Sequence, residues 1–346
     1  MSSCEKFLAI LYISDMKIAV VILNWNGKSL LERFLPSVMT HSGNEATVYL
    51  ADNASSDDSI QFVKDNYPEI KIIAMSSNTG YAGGYNTALS GLTDDLFILL
   101  NSDVKVTEHW LIPIKEAFLK DQNLGAAQPK LLDLNNPDYF EYAGAAGGFI
   151  DAYGFPYCRG RVFESLEKDN GQYDLVTTAF WASGACLCVR RDAFNLVGGF
   201  DTDFFAHMEE IDLCWRLHHY GFTIGVIPQS SVYHLGGGTL PNMHAKKTYL
   251  NFRNSLFLLA KNVAGFTVYW TIFARMILDG IAAVRFLIQR KPAHFSAVLR
   301  AHIDFYRGVS AMRKKGQPYR KSLKYFKVRS LVWQYFIARK RDFGKL

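Results

Sequence analysis

No two of the five cysteines in this 346-residue chain form a C-x-x-C pair. Cys4, Cys158, Cys186, Cys188 and Cys214 are odd in number and scattered, which argues against a disulfide framework and against a zinc knuckle. A reduced, cytosolic setting is the simplest reading. No G-x-G-x-x-G follows the first strand-like run, so a dinucleotide site is disfavoured. No uninterrupted apolar run reaches the ~20 residues that cross a bilayer. Phe266 to Ile288 comes nearest, but it carries Arg275, Asp279 and Arg285. The Phe7–Ile13 run is flanked by Glu5 and Asp15 and lacks a small-residue cleavage site, which makes it a poor signal peptide. Met16 directly precedes a strand-like run, so residues 1–15 are expected to be a loose extension or an alternative start. There is no internal repeat.

Acidic residues are scarce at the C-terminal end. From Phe286 to Leu346 only Asp304 and Asp342 stand against 16 Lys and Arg, a balance of +14 within a net charge of +6. The rest of the chain is therefore at −8. Such asymmetry points to an anionic partner surface for the tail. Nucleic acid is a poor candidate, because the acidic body would repel phosphate. The clusters Arg313-Lys314-Lys315, Arg320-Lys321 and Arg339-Lys340-Arg341 alternate with Tyr319, Tyr325-Phe326 and Trp333-Gln334-Tyr335-Phe336. Basic residues near an anionic leaflet contribute ~1 kcal/mol each. Charges at the centre of a spanning helix cost ~2.5–3.5 kcal/mol each. An amphipathic helix lying on the membrane is thus favoured over a crossing one. The plainer alternative is a solvated basic cap packed on the body.

Hydrophobic content of 49% and charged content of 20% are globular values. Strand-like runs at Lys17–Leu23, Thr47–Ala51, Lys71–Met75 and Leu96–Leu100 alternate with helical segments. Ser29 and Ser56 are placed to cap two of those helices, and Gly80–Gly84 opens a third. The alternation implies βαβ units and a mostly parallel sheet flanked by helices. Residues 124–174 read as a strand near Ala126–Leu132 and then long loops. A strand at Trp181–Val189, helices at Arg191–Val197 and Glu209–Tyr220, and a strand at Thr223–Ile227 stopped by Pro228 follow. From about Met243 the pattern is helical to the end.

The residues able to carry chemistry are spread along this α/β region. Asp52 ends one strand, where it could select a base through N3–H or simply form a turn. Asn78 to Asn86 holds Gly80, Gly83 and Gly84, which would free N–H groups at a helix N-terminus for phosphate, although a structural turn is the commoner meaning. Asp103 follows another strand and suits a hard divalent ion or a surface turn. Glu209, Glu210 and Asp212 open a helix, where the macrodipole favours acids without any function. Asp212 and Arg216 are spaced to pair. His234 precedes a run of glycines, Gly236-Gly237-Gly238, that suggests a mobile loop near a ligand.

Together these stretches resemble glycosyltransferase family 2, the inverting GT-A enzymes, and its rhamnosyltransferase-like branch. The matching segments are Val20–Gly27, Asp52–Asp57, Asn78–Asn86, Leu100–Asp103, Trp181–Ala185, Gly198–Asp201 and Glu209–Arg216, within about Lys17 to Asn262. The resemblance implies a GT-A fold with a Rossmann-like nucleotide-binding half over residues 16–262; the charge and aromatic pattern separately suggests a helical, basic, membrane-associating extension over 263–346. It implies a donor site of Asn24, Asp52, Asn78, Gly80, Gly83, Gly84, Asn86, Asn101 and Ser102, with Asp52 reading a uracil or thymine base. Asp103 and His234 would hold Mg2+ or Mn2+. Glu210, beside Glu209, takes the place of the general base, and Trp181, Ser183, Gly184 and Asp212 lie on the acceptor side. Two departures stand out. Asn101 replaces the first acid of the metal motif, and Glu210 replaces the usual Asp. The expected partners are a nucleotide-sugar donor, a glycan or lipid-linked acceptor, and an anionic membrane on its cytoplasmic face. A sugar-phosphate nucleotidyltransferase would instead want a glycine-rich basic loop after the first strand, and Asn24-Trp25-Asn26-Gly27 is not one.

Overall fold

The structure is a computed structural model that describes residues 16–236, 245–316 and 323–346. The N-terminal extension, Gly237, Gly238, Tyr319 and the Arg320-Lys321 cluster lie outside the described residues.

β1 (Ile18–Asn24), β2 (Thr47–Asp52), β3 (Lys71–Ala74) and β4 (Leu96–Asn101) form a parallel group, linked by α1 (Lys28–Ser42), α2 (Ser59–Asn66) and α3 (Gly80–Leu89). After β5 (Val104–Val106) and α4 (Leu111–Lys120) comes the long β6 (Leu124–Asp133). A small antiparallel sheet follows, made of β7 (Gly148–Ile150), β8 (Pro156–Cys158), β9 (Arg161–Val162) and β10 (Ser165–Leu166). β11 (Thr177–Ala179), β12 (Cys186–Arg190), α5 (Arg191–Leu196), α6 (Glu209–His219) and β13 (Thr223–His234) complete the body. The nine-stranded sheet runs β11-β13-β6-β12-β4-β1-β2-β3, with β5 on β13. β12 is antiparallel to both neighbours, and β13 is parallel to β6.

β1 is buried on both sides, as a central parallel strand must be. Its alternate residues serve two cores. Val20 and Ile22 meet Leu31, Leu35 and Phe118 from α1 and α4. Ala19 and Val21 meet Tyr85, Phe194 and Leu213 from α3, α5 and α6. This is the expected mostly parallel sheet between helical layers.

Several local expectations are corrected. Ser29 lies inside α1, which starts from Gly27, and the Leu30 and Leu31 N–H groups bond the Gly27 carbonyl. Ser56 caps nothing in α2, because Asp57 bonds both the N–H and the hydroxyl of Ser59 at that end. Pro228 does not stop β13, which absorbs it in a register shift between Ile227 and Ser231 and continues to His234. Trp181 to Gly184 precede β12 instead of starting it.

Beyond the body, α7 (Ala245–Asn262), α8 (Thr267–Ile288) and α9 (Pro292–Lys315) are helical as expected. Residues 323–346 are not. They run back over the small sheet with only short turns of 3-10 and π helix. Val328, Leu331 and Tyr335 are buried in the same core as Trp181 and Leu213. The Leu331 N–H donates to Asp151 at 2.8 Å, and the Phe343 ring packs 5.4 Å from Phe149. The tail is therefore knit into the body. No described helix is long and apolar enough to cross a membrane.

Candidate functional site

The parallel strands end on one edge, and register sets the site there. Asn24 of β1 lies opposite Asp52 of β2, and Leu23 lies opposite Asn101 of β4. Three polar side chains thus stand side by side past three apolar strands, where open α/β sheets bind ligands. The Asn24 amide donates to Asp52 Oδ2 at 3.1 Å, and the Ser55 N–H donates to Asp52 Oδ1 at 2.9 Å. Asp52 thus has a turn-forming role, and each oxygen keeps a lone pair. Asn24 Oδ1 is buried without a partner. Ser102 faces the same Asn24–Gly27 corner.

The glycine-rich segment departs from its expected use. Asn53 holds the turn, donating to Asn78 Oδ1 and the Gly80 carbonyl and accepting the Thr79 N–H. The Tyr81 and Ala82 N–H groups at the start of α3 both bond the Phe205 carbonyl, at 2.8 and 3.3 Å. They are not free for phosphate. Gly84 lets α3 press on β1, since a Cβ there would sit 2.8 Å from Leu23. Gly83 likewise packs on Thr79 within the turn. Asn86 spends both amide atoms on the Phe200 backbone, at 2.8 and 2.9 Å. Gly83, Gly84 and Asn86 make packing and backbone contacts here.

Asp103 sits in the turn between β4 and β5. The β5–β13 pairing sets His234 opposite Val104 and so beside Asp103. His234 Nε2 is 3.1 Å from Asp103 Oδ1, and Nδ1 is 3.2 Å from Glu141 Oε1. Burial opposes the imidazolium, but the bonds to Asp103 and Glu141 outweigh it and raise His234 to about 10. Among the described residues no group of three or more His, Cys, Asp or Glu side chains is arranged to hold a metal ion by itself. As an imidazolium His234 has no lone pair to offer a metal, so it would join Asp103 in holding an ion only after giving up its proton, the ion keeping its other positions for phosphate oxygen and water. The 3.1 Å gap suits adjacent ligands of one such ion. Glu141 was not found from the sequence, because it lies in the loop-rich stretch where no periodicity marks it.

The segment before α6 is strained. Phe205, His207 and Met208 all have positive φ, at 62°, 69° and 74°. Such backbone costs of order 1–3 kcal/mol per residue and must be held by its surroundings. Asn254 of α7 holds it. This fully buried amide donates to the carbonyls of Phe204, Ala206 and His207 at 2.8, 2.9 and 2.7 Å. The strained turn delivers Glu209 and Glu210 as the first residues of α6. One oxygen of each is buried and unpaired. Burial pushes Glu210 up to about 7, against the pull of the helix N–H groups. Burial and then Glu210 push Glu209 well above the ordinary carboxylate range. A carboxyl near 7 is poised to take a proton at neutral pH.

The residues expected on the acceptor side are mostly engaged within the protein. Burial would raise Asp212, but Arg216 and Lys261 bring it down to about 2. It pairs with both at 2.8 Å and accepts from Asn262. Its carboxylate is committed to α7 and cannot face an acceptor. Trp181 is 2% exposed, with its indole N–H on the Phe149 carbonyl, so it is a core residue. Ser183 is buried in bonds to Gln128, Ala143 and Ala185. Gly184 remains partly open, and its carbonyl accepts the Tyr81 hydroxyl at 2.8 Å.

Comparison with known proteins agrees with this geometry. The model of Glycosyl transferase family group 2 matches residues 96–299, and that of Glycosyl transferase family 2 matches 19–169. An N-acetylglucosaminyl-diphospho-decaprenol L-rhamnosyltransferase of Mycobacterium tuberculosis is 28% identical over 284 residues, 77% of this chain and 90% of that protein. A low-salt glycan biosynthesis hexosyltransferase of Haloferax volcanii is 22% identical, covering 81% and 90%. Among solved structures, GalNAc-T7 with UDP, GalNAc and Mn2+ aligns with a TM-score of 0.60 at 16% identity, over 94% of this chain and 57% of that one. The mannosyltransferase PcManGT of Pyrobaculum calidifontis, in complex with GDP-Man and Mn2+, aligns at 0.50 and 13%, over 91% and 89%. At these identities the structures speak for the fold.

Proposed function

The chain belongs to the family 2 glycosyltransferases, GT-A in fold and rhamnosyltransferase-like, and on that premise we propose that it moves a sugar from a nucleoside-diphosphate sugar to an acceptor hydroxyl with inversion. The donor is a UDP- or dTDP-sugar, dTDP-rhamnose being the first to try. The acceptor is a glycan or a lipid-linked saccharide in polysaccharide synthesis. The observation that carries the reading is the pair of buried Glu209 and half-buried Glu210 on a strained helix start, with Glu210 raised to about 7.

Glu210 takes the proton of the acceptor hydroxyl, which attacks the anomeric carbon opposite the nucleotide. Asp52 reads the base, with Asn24, Asn78, Gly80, Asn101 and Ser102 along the donor. Gly184 borders the acceptor. Asp103 and His234 would hold Mg2+ or Mn2+, which neutralises charge on the departing diphosphate when bound. Asn254 and the Phe205 carbonyl keep the Glu210 segment and the glycine turn in one geometry. Residues 16–262 carry this chemistry. Residues 263–346 place the enzyme peripherally on the cytoplasmic face of the cell membrane, where a lipid-linked acceptor is presented.

The test is transfer from a panel of labelled nucleotide sugars to lipid-linked and free saccharides, with the product anomer read by NMR. Sugar transferred with inverted configuration supports the reading. Nucleotide-sugar hydrolysis alone, or retention, rejects it.

A further inference from the structure

α8 carries two of its three charges, Arg275 and Asp279, on the inside. Arg275 and Asp279 are 3% and 0% exposed and pair at 2.7 Å. Arg275 also donates to the Tyr153 carbonyl and lies 3.9 Å from the centre of the Phe155 ring. His302 of α9 stands 3.3 Å from the other Asp279 oxygen. Two of the three charges that argue against a spanning helix thus serve to fasten α8 to the body. The opposite face is apolar. Phe266, Trp270, Phe273, Ile277, Ile281 and Ile288 form one helical stripe, and Phe266, Trp270 and Ile288 are 87%, 75% and 78% exposed. α9 widens the stripe with Leu299, Ile303 and Tyr306, and the Tyr306 hydroxyl reaches Met276 of α8 at 3.2 Å. A surface helix in water shows the reverse polarity, and exposed apolar patches of this kind mark interaction sites.

Charge selects the occupant. Arg285, Arg290 and Arg300 are exposed around the stripe. Residues 245–316 contain two acids, Asp279, which is buried, and Asp304, which is bonded to Tyr249 and Arg307. A second copy of the chain would set arginine against arginine. An anionic bilayer accepts both features, with arginine at the headgroups, Trp and Tyr at the interface, and aliphatic side chains below.

We propose that the α8–α9 hairpin is a monotopic docking face that sinks its apolar stripe into an anionic leaflet, with α8 lying in the interface plane. This deepens the reading of an enzyme acting on a membrane-presented acceptor. Its test reads no transfer, so an active transferase that ignores vesicles would fail this inference alone.

The full chain is mixed with vesicles of phosphatidylcholine, with and without phosphatidylglycerol, and floated. Strong flotation is expected only with the anionic lipid, and high salt should release it only in part. Ile277→Glu with Ile281→Glu should lower the bound fraction roughly tenfold or more, with circular dichroism unchanged. Arg290→Glu with Arg300→Glu should weaken binding to anionic vesicles alone. Absence of wild-type flotation, or equal flotation of the Ile277/Ile281 variant, overturns the proposal. So does a wild-type dimer in solution that the same substitutions convert to monomer.

Discussion

The Phe205 carbonyl accepts the Tyr81 N–H at 2.8 Å, joining the turn before the two glutamates to the start of the glycine-rich helix. Gly80 allows that contact. Its φ is +74°, and a Cβ would lie 2.6 Å from the Phe205 oxygen. Gly80→Ala is therefore expected to lower both stability and transfer. The backbone conformation alone costs about 1–3 kcal/mol. Thermal denaturation and kcat/KM check this, and an unchanged melting temperature would separate the two segments.

Glu210→Gln should lower kcat by roughly 10²–10⁴ while donor binding stays near the wild-type level. The kcat/KM of the wild type should rise with pH through about 7, because the base works deprotonated. The same shift has an opposite sign in stability. Glu210 is raised in the folded state from 4.5, so its favourable contribution is full below about 4.5 and is lost as pH climbs through about 7. The Gln variant should accordingly melt higher than wild type at pH 8 while being nearly inactive. A large loss in Glu209→Gln with little in Glu210→Gln would transfer the role to Glu209.

Asn254→Ala removes the amide that three carbonyls share, one buried and two half-buried. Each bond is worth about 1 kcal/mol, and more where the carbonyl stays buried and unpaired. The variant should be destabilised and should lose kcat more than donor affinity, since it loosens the Glu210 segment. Asn254→Asp should not rescue it, because a carboxylate donates nothing. Equal losses in kcat and in donor affinity would make Asn254 a folding residue only.

Truncation after Asn262 is expected to give an unfolded or aggregated product. Lys315 bonds Asp201 and Asp203, and Leu331 and Tyr335 fill the main core. A soluble, melting body from that truncation, seen by calorimetry, would contradict the packing described above.

The succession of strands along residues 17–101 was legible because each apolar run is short and closed by a polar residue, whereas their order in the sheet was not read. Asp103, Glu210 and His234 stood out in the sequence as residue types at strand and helix ends, and the fold places Asp103 beside His234. Their other partners did not stand out. Glu141 and Asn254 reach the site through long-range packing, with Asn254 donating across some fifty positions of sequence. The glycines of 80–84 misled in part, because close helix–strand packing and phosphate binding ask for the same small residue. The tail misled in the same way. Basic and aromatic residues that read as a continuous helix return to the small sheet, where Arg159 lies over the Phe149 and Phe343 rings.

The central claim is a divalent-ion-dependent nucleotide-sugar site built on Asp103 and His234. A thermal-shift screen of UDP-, dTDP- and GDP-sugars, each with Mn2+, Mg2+ or chelator, tests it most directly, with Asp103→Ala alongside. The account predicts a rise in melting temperature for a uracil or thymine nucleotide sugar that needs the ion and vanishes in Asp103→Ala. A shift that survives chelator and Asp103→Ala alike, or no shift with any nucleotide sugar, would contradict it.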